Sequence, residues 1–292
     1  MQPVVPFQRP PNLADLRTDP GGRAWVRDLE RLVRDAAQHF DITVEFPFSK
    51  SHVSYTAPAK RADGSDAVLK VQFPHREGIH EVTALHIWDG VGAVRVLDHD
   101  ESRHAFLLER CKPGTPLSEL HCTAAIDVYC ELLPRLWKAT SAPITTLTDE
   151  AQGWYDGYNA EWEREDRPVP RRWVDIALEA CRDLGPSQGE MVLLHQDMHA
   201  DNVLRAEREP WLAIDPKALL GEREFSVAPI VRSNELGHSR ELVLYRFDRL
   251  CNDLGLDRER ARGWTIAQTL AWSMAARYTK HHDTIRWLLG GD

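Results

Sequence analysis

The apolar residues between positions 22 and 40 recur every three or four residues, after a Pro-Gly-Gly break in the chain. This spacing puts Trp25, Leu29 and Val33 on one face, which predicts an amphipathic helix that packs on a sheet. From residue 41 onward the pattern changes to short apolar segments separated by polar turns. These segments predict three antiparallel strands, within residues 41–48, 53–60 and 67–73.

The next change of pattern predicts one helix over residues 76–89, because its apolar residues, among them Ile79 and Leu85, are again in helical phase. Two further strand patterns follow, at residues 93–100 and 104–110. The N-terminal part of the chain is therefore predicted to form a five-stranded antiparallel sheet with one inserted helix.

Beyond Lys112-Pro113-Gly114 the pattern becomes mostly helical, apart from a short β region at residues 191–214. The 292 residues of the chain exceed the usual size of a single core, so we predict two lobes with a boundary at residues 111–115. The fold class is then α+β, with a first lobe of residues 1–111 and a second of residues 112–292. Helices of the second lobe are predicted at residues 123–138, 153–164, 172–184, 241–254 and 258–278.

Composition narrows the classes of function. A net charge of −9 without a basic stripe argues against nucleic-acid binding, and it is compatible with a cationic small molecule or with solubility alone. Five cysteines without a C-x-x-C pair argue against a disulfide framework and a structural zinc site, and they favour a reducing compartment. The N-terminus has no basic start followed by an apolar stretch, and no apolar run is long enough to cross a bilayer. We therefore expect a cytoplasmic protein that does not bind membranes.

The stretch LLHQDMHADNVL, residues 193–204, has three possible interpretations. His195 and His199 have the spacing of a zinc-binding helix, but that motif needs glutamate directly after the first histidine, where this chain has glutamine. A polar turn whose side chains cap backbone groups is the second interpretation. The third is the H-x-D-x-x-x-x-N spacing of kinase catalytic loops, which His195, Asp197 and Asn202 satisfy.

The order of other polar residues favours the third interpretation. Lys70 lies in the predicted third strand, Glu81 lies on the helix that follows, and Asp215 ends the strand-like stretch WLAID. Phosphoryl transfer depends on positioning and positive charge, so Lys70 would hold the α and β phosphates while Glu81 fixes its ammonium group. Asn202 and Asp215 offer the hard oxygen ligands that Mg²⁺ prefers, and Asp197 would orient the acceptor hydroxyl and take its proton late. Each residue taken alone also fits an ordinary structural role.

These motifs, with AVLK, HEVTAL, LLERCKPGTPL and the continuation to AIDPK, resemble the aminoglycoside phosphotransferase-like kinases. Within them the chain is most similar to the aminoglycoside/hydroxyurea antibiotic resistance kinase family, which includes streptomycin 6-phosphotransferases, over roughly residues 41–229. The resemblance implies a bilobal protein-kinase-like fold that uses ATP and Mg²⁺ to phosphorylate a hydroxyl group of a small molecule. The roles it implies are catalytic base for Asp197, magnesium ligands for Asn202 and Asp215, phosphate binding for Lys70 with its partner Glu81, and backbone contacts to adenine from Glu109 to Cys111.

The chain departs from the family pattern at the catalytic loop and before Lys70, and it lacks an arginine that protein kinases carry beside the catalytic aspartate. Gln196 replaces the more common glycine of the catalytic loop, and its bulk would narrow or tune the acceptor side. No G-x-G-x-x-G precedes Lys70, so Ser49 and Ser51, with their backbone amides, are the candidate phosphate-capping groups. No arginine stands beside Asp197, so regulation by phosphorylation of an activation loop is not expected.

Residues 153–166 concentrate aromatic and acidic side chains, which suits an acceptor that carries guanidinium or ammonium groups. We predict acceptor contacts from Trp154, Asp156, Glu161 and Trp162, although an amphipathic helix that buries its aromatic residues is an equal alternative. The resemblance makes an aminocyclitol such as streptomycin the first choice of acceptor. A metabolic kinase for another hydroxylated compound and a nucleotide-binding pseudokinase are the alternatives. The sequence leaves the oligomeric state open.

Overall fold

The computed structural model describes residues 7–18, 20–49 and 53–291. The chain divides into two compact units, Met1–Lys112 and Pro113–Asp292. In the described ranges no helix is both long enough and apolar enough to cross a membrane.

The first unit contains the predicted antiparallel sheet, with five strands in the order β1-β2-β3-β5-β4. Helix α1, Pro20–His39, buries Val26, Leu29 and Val33 in one apolar cluster with strand residues such as Leu69. The prediction of a five-stranded sheet packed by an amphipathic helix is therefore confirmed. The strands are β1 (Ile42–Val44), β2 (Ser54–Arg61), β3 (Asp66–Gln72), β4 (Val96–Asp100) and β5 (Ala105–Leu108).

The prediction of a single helix over residues 76–89 is wrong for the first half of that range. The chain forms a 3-10 turn at Arg76–Gly78, and helix α2 then begins at Glu81 and ends at Trp88. A Cβ atom on Gly78 would lie 2.5 Å from Nε2 of Gln72, so the turn packs directly against the sheet and bends the chain before α2 begins. Strand β4 likewise begins three residues later than predicted, after a turn in which Asp89, Gly90 and Gly92 adopt positive φ angles.

The second unit is mostly helical, as predicted. Its helices are α3 (Cys122–Leu136), α4 (Leu147–Arg164), α5 (Arg171–Leu184), α6 (Ala228–Arg232), α7 (Arg240–Asp253), α8 (Arg258–Trp272) and α9 (Thr279–Leu288). Two small antiparallel pairs correspond to the predicted β region and extend beyond it. One pairs β6 (Val192–His195) with β9 (Ala218–Gly221), and the other pairs β7 (Val203–Arg205) with β8 (Trp211–Ala213).

Candidate active site

Lys70 and Glu81 form a buried ion pair in the first unit. Their relative exposures are 4% and 1%, and the Lys70 Nζ atom lies 2.7 Å from both carboxylate oxygens of Glu81. Gln72 Nε2 donates a third hydrogen bond to the same carboxylate, at 2.9 Å. Buried charges are stable only when they are paired and hydrogen-bonded, and Glu81 is further favoured as the first residue of α2, where the helix dipole attracts a negative charge. The sequence prediction that Glu81 fixes the ammonium group of Lys70 agrees with this geometry.

The other nucleotide-binding candidates that the structure describes follow strands of the same sheet. Ser49 is an exposed turn residue after β1, and Ser51 lies outside the described residues. Glu109 follows β5, where its N–H donates to the Arg95 carbonyl oxygen at 2.9 Å and its carboxylate accepts from the Arg95 N–H at 3.1 Å. Cys111 is half-buried and lies at the end of this segment. The segment after β5 is thus held to the residue that precedes β4.

In the second unit, His195 connects the predicted catalytic loop to Ile214, the residue before Asp215. Its Nδ1 accepts from the Asp197 N–H at 3.3 Å, so Nε2 carries the proton that is donated to the Ile214 carbonyl oxygen at 2.8 Å. Burial lowers the pKa of His195 more than the hydrogen bond to Ile214 raises it, which keeps the ring neutral. Because both ring nitrogens contact backbone groups, His195 cannot serve as a zinc ligand. Over the described ranges, His, Cys, Asp and Glu side chains form no group of three or more that could hold a metal ion.

The Asp197 carboxylate lies at the centre of a charged cluster. Lys217 Nζ is 3.3 Å from Oδ2, Arg232 Nη2 is 3.4 Å from Oδ1, and His199 Nε2 is 4.0 Å from Oδ2. Burial raises the pKa of Asp197, but Lys217, His199 and Arg232 together outweigh burial and hold this pKa below its usual range. The carboxylate is therefore ionised near neutral pH and can accept a hydrogen bond from a hydroxyl group.

Asn202 and Asp215 lie at the same end of the β7–β8 hairpin, one just before β7 and the other two residues after β8. Asn202 Nδ2 donates to the Asp197 carbonyl oxygen at 2.9 Å, which leaves its side-chain oxygen as the atom able to bind a cation. Asp215 is exposed and has a φ of 56°, in the left-handed region. An amide oxygen and one carboxylate fit Mg²⁺, which takes one or two protein ligands and completes its shell with phosphates and water.

Lys217 and Arg232 are site residues that the sequence reasoning missed. Lys217 stands two residues after Asp215, within the stretch that carries the resemblance to the family. This position could have identified Lys217 as a site residue. Arg232 ends the short helix α6, and no motif marks it. Both side chains also contact the Trp272 ring, with Lys217 Nζ at 4.5 Å and Arg232 Cζ at 4.7 Å from the ring centroid.

The predicted acceptor residues on α4 all contact other residues of the second unit. Trp154 is buried and stacks on Phe225, with ring centroids 6.1 Å apart, and Trp162 Nε1 donates to the Val169 carbonyl oxygen at 2.9 Å. Asp156 accepts from Gln152, and Glu161 forms an ion pair with Arg164. The contacts of the two tryptophans are those of packed helix residues, which is the alternative that the sequence left open.

Comparison with known proteins identifies the family. The chain is 35% identical to a streptomycin 6-kinase of Streptomyces griseus over 260 residues, which cover 85% of this chain and 83% of the relative. It is 36% identical to a hydroxyurea phosphotransferase of Kitasatospora aureofaciens over 85% of this chain and 73% of the relative. The fold matches the crystal structure of the choline kinase LicA from Streptococcus pneumoniae with a TM-score of 0.62 and 12% identity, over 90% of this chain and 99% of that one. Residues 39–280 match the sequence model of the aminoglycoside/hydroxyurea antibiotic resistance kinases, and the chain therefore belongs to that family of small-molecule kinases.

Proposed function

We propose that this enzyme transfers the γ-phosphate of ATP to a hydroxyl group of streptomycin or a related aminocyclitol. The observation that carries the proposal is the Asp197 carboxylate, which is ionised. The backbone carbonyl oxygen of Asp197 accepts a hydrogen bond from Asn202 Nδ2 at 2.9 Å, which fixes the catalytic loop beside the candidate metal ligand. In this role Asp197 orients the acceptor hydroxyl and receives its proton as the new bond forms. The acceptor follows from the relative named streptomycin 6-kinase, and the relative named hydroxyurea phosphotransferase supplies a second compound for the test.

The nucleotide is assigned to the residues whose chemistry suits it. Lys70 would bind the α and β phosphates, because Glu81 already fixes the position of its ammonium group. Asn202 and Asp215 would hold Mg²⁺, which when bound neutralises charge on the phosphates. Backbone groups of Glu109 and Cys111 would contact adenine, and those of Ser49 and Ser51 would contact the phosphates. Each of these assignments is a proposal that nucleotide binding by single variants can test.

For the acceptor, we keep the two carboxylates of α4 as candidates and give the two tryptophans a packing role. Asp156 is exposed and Glu161 is partly exposed, so both can pair with a cationic group of the acceptor. Their changes to Asn and Gln should raise the KM for streptomycin and leave the KM for ATP unchanged. An unchanged KM for streptomycin would remove α4 from the acceptor site.

The test of the reaction is turnover of Mg²⁺-ATP by the purified chain with streptomycin, hydroxyurea and a simple alcohol. ADP release and the gain of one phosphoryl group in the mass of the acceptor are measured together. Asp197→Asn should reduce kcat by about 10²- to 10⁴-fold, which is the usual contribution of a positioned base, while calorimetry shows unchanged ATP binding. Asp183→Asn, which removes an exposed carboxylate paired with Arg182, serves as the matched control. Equal turnover by Asp197→Asn and the wild type would refute the assignment, and ATP binding without turnover by the wild type would favour a pseudokinase.

A further inference from the structure

Helix α8 contacts the catalytic loop through a buried glutamine. Gln268 is fully buried, and its Nε2 donates to the Gln196 carbonyl oxygen at 2.9 Å. Its Oε1 accepts from Arg232 Nε at 3.3 Å. A carbonyl oxygen can only accept and a guanidinium group can only donate, so the two contacts fix the orientation of this amide. Gln268 therefore links the backbone next to Asp197 with the side chain of Arg232.

Trp272 lies one helical turn after Gln268 and contacts both cations of the cluster. Lys217 Nζ is 4.5 Å and Arg232 Cζ is 4.7 Å from its ring centroid, within the range of a cation–π interaction. Lys217 and Arg232 approach different oxygens of the Asp197 carboxylate, at 3.3 and 3.4 Å. These distances exceed the roughly 2.7–2.9 Å of an optimal charge-assisted hydrogen bond, so the carboxylate alone does not explain why two cations gather here.

An acceptor hydroxyl bound at Asp197 would give the second cation a role. A hydroxyl group that hydrogen-bonds to one oxygen of Asp197 has its oxygen within about 7 Å of the cation at that oxygen and within about 9 Å of the other cation. The phosphorus it attacks is roughly 3–3.5 Å from the hydroxyl oxygen. Negative charge in this reaction spreads over the equatorial oxygens of the transferring phosphoryl group. Cations preorganised beside those oxygens stabilise the transition state more than the ground state.

We propose that Gln268 and Trp272 are positioning residues that aim Arg232 and Lys217 at the transferring phosphoryl group, an inference that rests on the proposed function above. The acceptor oxygen forms a bond to the γ-phosphorus while the bridging oxygen–phosphorus bond breaks, and the bond's electron pair leaves with ADP. The acceptor proton passes to Asp197. Arg232 and Lys217 hold the phosphoryl oxygens through this exchange and transfer no proton.

Binding of a transition-state mimic separates this role from a structural one. Calorimetry compares the affinity for ADP alone with the affinity for ADP plus aluminium fluoride, both with Mg²⁺ and streptomycin present. Trp272→Leu should weaken binding of the aluminium fluoride complex at least about tenfold and leave ADP binding unchanged. This is less than the roughly 10²- to 10³-fold cost of removing a preorganised donor outright, because Trp272 acts through Arg232 and Lys217. Trp272→Phe keeps an aromatic face and should retain most of the affinity. Gln268→Leu should reproduce the Trp272→Leu result. If Gln268→Leu does not fold, the comparison of Trp272→Leu with Trp272→Phe is the test.

Tyr245→Leu is the matched control, because it removes the ring that Arg249 covers at 5.7 Å on α7. It should leave both affinities at the wild-type values. The inference fails if Trp272→Leu binds ADP with aluminium fluoride as tightly as the wild type does. If the wild type itself neither binds the mimic nor phosphorylates any acceptor, the proposed function fails and this inference falls with it.

Discussion

Asp215 combines an unfavourable backbone conformation with a proposed metal-binding role. Its φ of 56° places a residue with a Cβ atom in the left-handed region, and it precedes Pro216, which further restricts its backbone. Such conformations persist where the surrounding structure determines them, and they are concentrated at functional sites. Here Ile214 donates to the Asn202 carbonyl oxygen at 2.9 Å and accepts from His195, which fixes the chain just before Asp215.

Substitution of Asp215 should therefore separate backbone strain from function. Asp215→Gly should have a free energy of unfolding about 1–2 kcal/mol higher than Asp215→Ala, because glycine adopts positive φ without a steric penalty. Both variants lose the carboxylate and should lose turnover. Chemical denaturation and the ADP-release assay measure the two effects. Equal unfolding free energies for the Gly and Ala variants would show that this backbone is not strained.

The two charges of the buried Lys70–Glu81 pair should depend on each other for stability. Lys70→Met leaves a carboxylate that is 1% exposed without its charged partner, and loss of one member of a buried pair costs about 3–5 kcal/mol. The double variant Lys70→Met, Glu81→Leu removes both charges and should be less destabilised than the sum of the two single variants.

Denaturant unfolding of the wild type, both single variants and the double variant gives the coupling energy of the Lys70–Glu81 pair. Arg171→Ala is the matched control, because its pair with Asp175 is about half exposed on both sides and such pairs contribute less than about 1 kcal/mol. Additive losses at positions 70 and 81 would contradict a coupled buried pair.

The sequence predicted those helices and strands whose apolar residues repeat regularly. It did not predict the ends of helices where single contacts determine them. Helix α4 begins at Leu147, six residues before the prediction, because the Thr146 side chain caps it by accepting from the Asp149 N–H at 3.1 Å. The Thr-x-x-Asp spacing is a signal for this start that the apolar pattern alone does not contain. The end of α8 has no such signal.

Helix α8 ends at Trp272, whereas the apolar pattern predicted its end at residue 278. Ser273 leaves the helical conformation, and its side chain and carbonyl oxygen bond to His281 Nδ1 at 2.6 Å and His282 Nε2 at 2.8 Å. These partners come from α9, which was not predicted, so the boundary is set by tertiary contacts. Tertiary contacts also bring Gln268 and Trp272 of α8 to the Asp197 cluster, so the apolar pattern did not predict their role.

The α8–α9 junction should make stability depend on pH. Burial, with smaller contributions from Arg232, His238 and His282, lowers the pKa of His281 to about 4 from an unfolded value of 6.5. Between these values the unfolded chain binds more protons than the folded chain, so stability is lost as the pH falls from about 6.5 to about 4. His281→Gln removes this loss, which we expect to be on the order of 1 kcal/mol after screening by solvent.

Thermal unfolding of the wild type and His281→Gln at several pH values between 7 and 4.5 measures this effect. The wild type should lose its advantage over the variant as the pH falls. His39→Gln is the control, since this histidine is 43% exposed beside Asp100 on the first unit. Parallel Tm curves for the wild type and His281→Gln would contradict the assignment to His281.

The family and the order of its catalytic residues could be recognised from the sequence because the candidate site residues follow one another in short motifs. Asp197, Asn202 and Asp215 fall within 19 residues of one another, and local strand pairing brings the segments of His195 and Lys217 together. Arg232 approaches the Asp197 carboxylate from α6, and Trp272 contacts Arg232 from α8. Periodicity predicts such helices but not which of their side chains converge on a site.

The negative net charge of the chain should speed the approach of a cationic acceptor to the enzyme. With 45 acidic and 36 Lys and Arg residues, the chain has a formal charge of −9, and its field attracts a cation such as streptomycin from solution. Ionic strength screens this attraction beyond roughly 10 Å at 0.1 M salt, so kcat/KM for streptomycin should fall several-fold between about 0.05 and 0.5 M KCl. Hydroxyurea, which is uncharged, should show no such dependence when both acceptors are assayed at saturating ATP. If streptomycin turnover is equally insensitive to salt, long-range attraction does not contribute, and acceptor binding depends only on local contacts such as those proposed for Asp156 and Glu161.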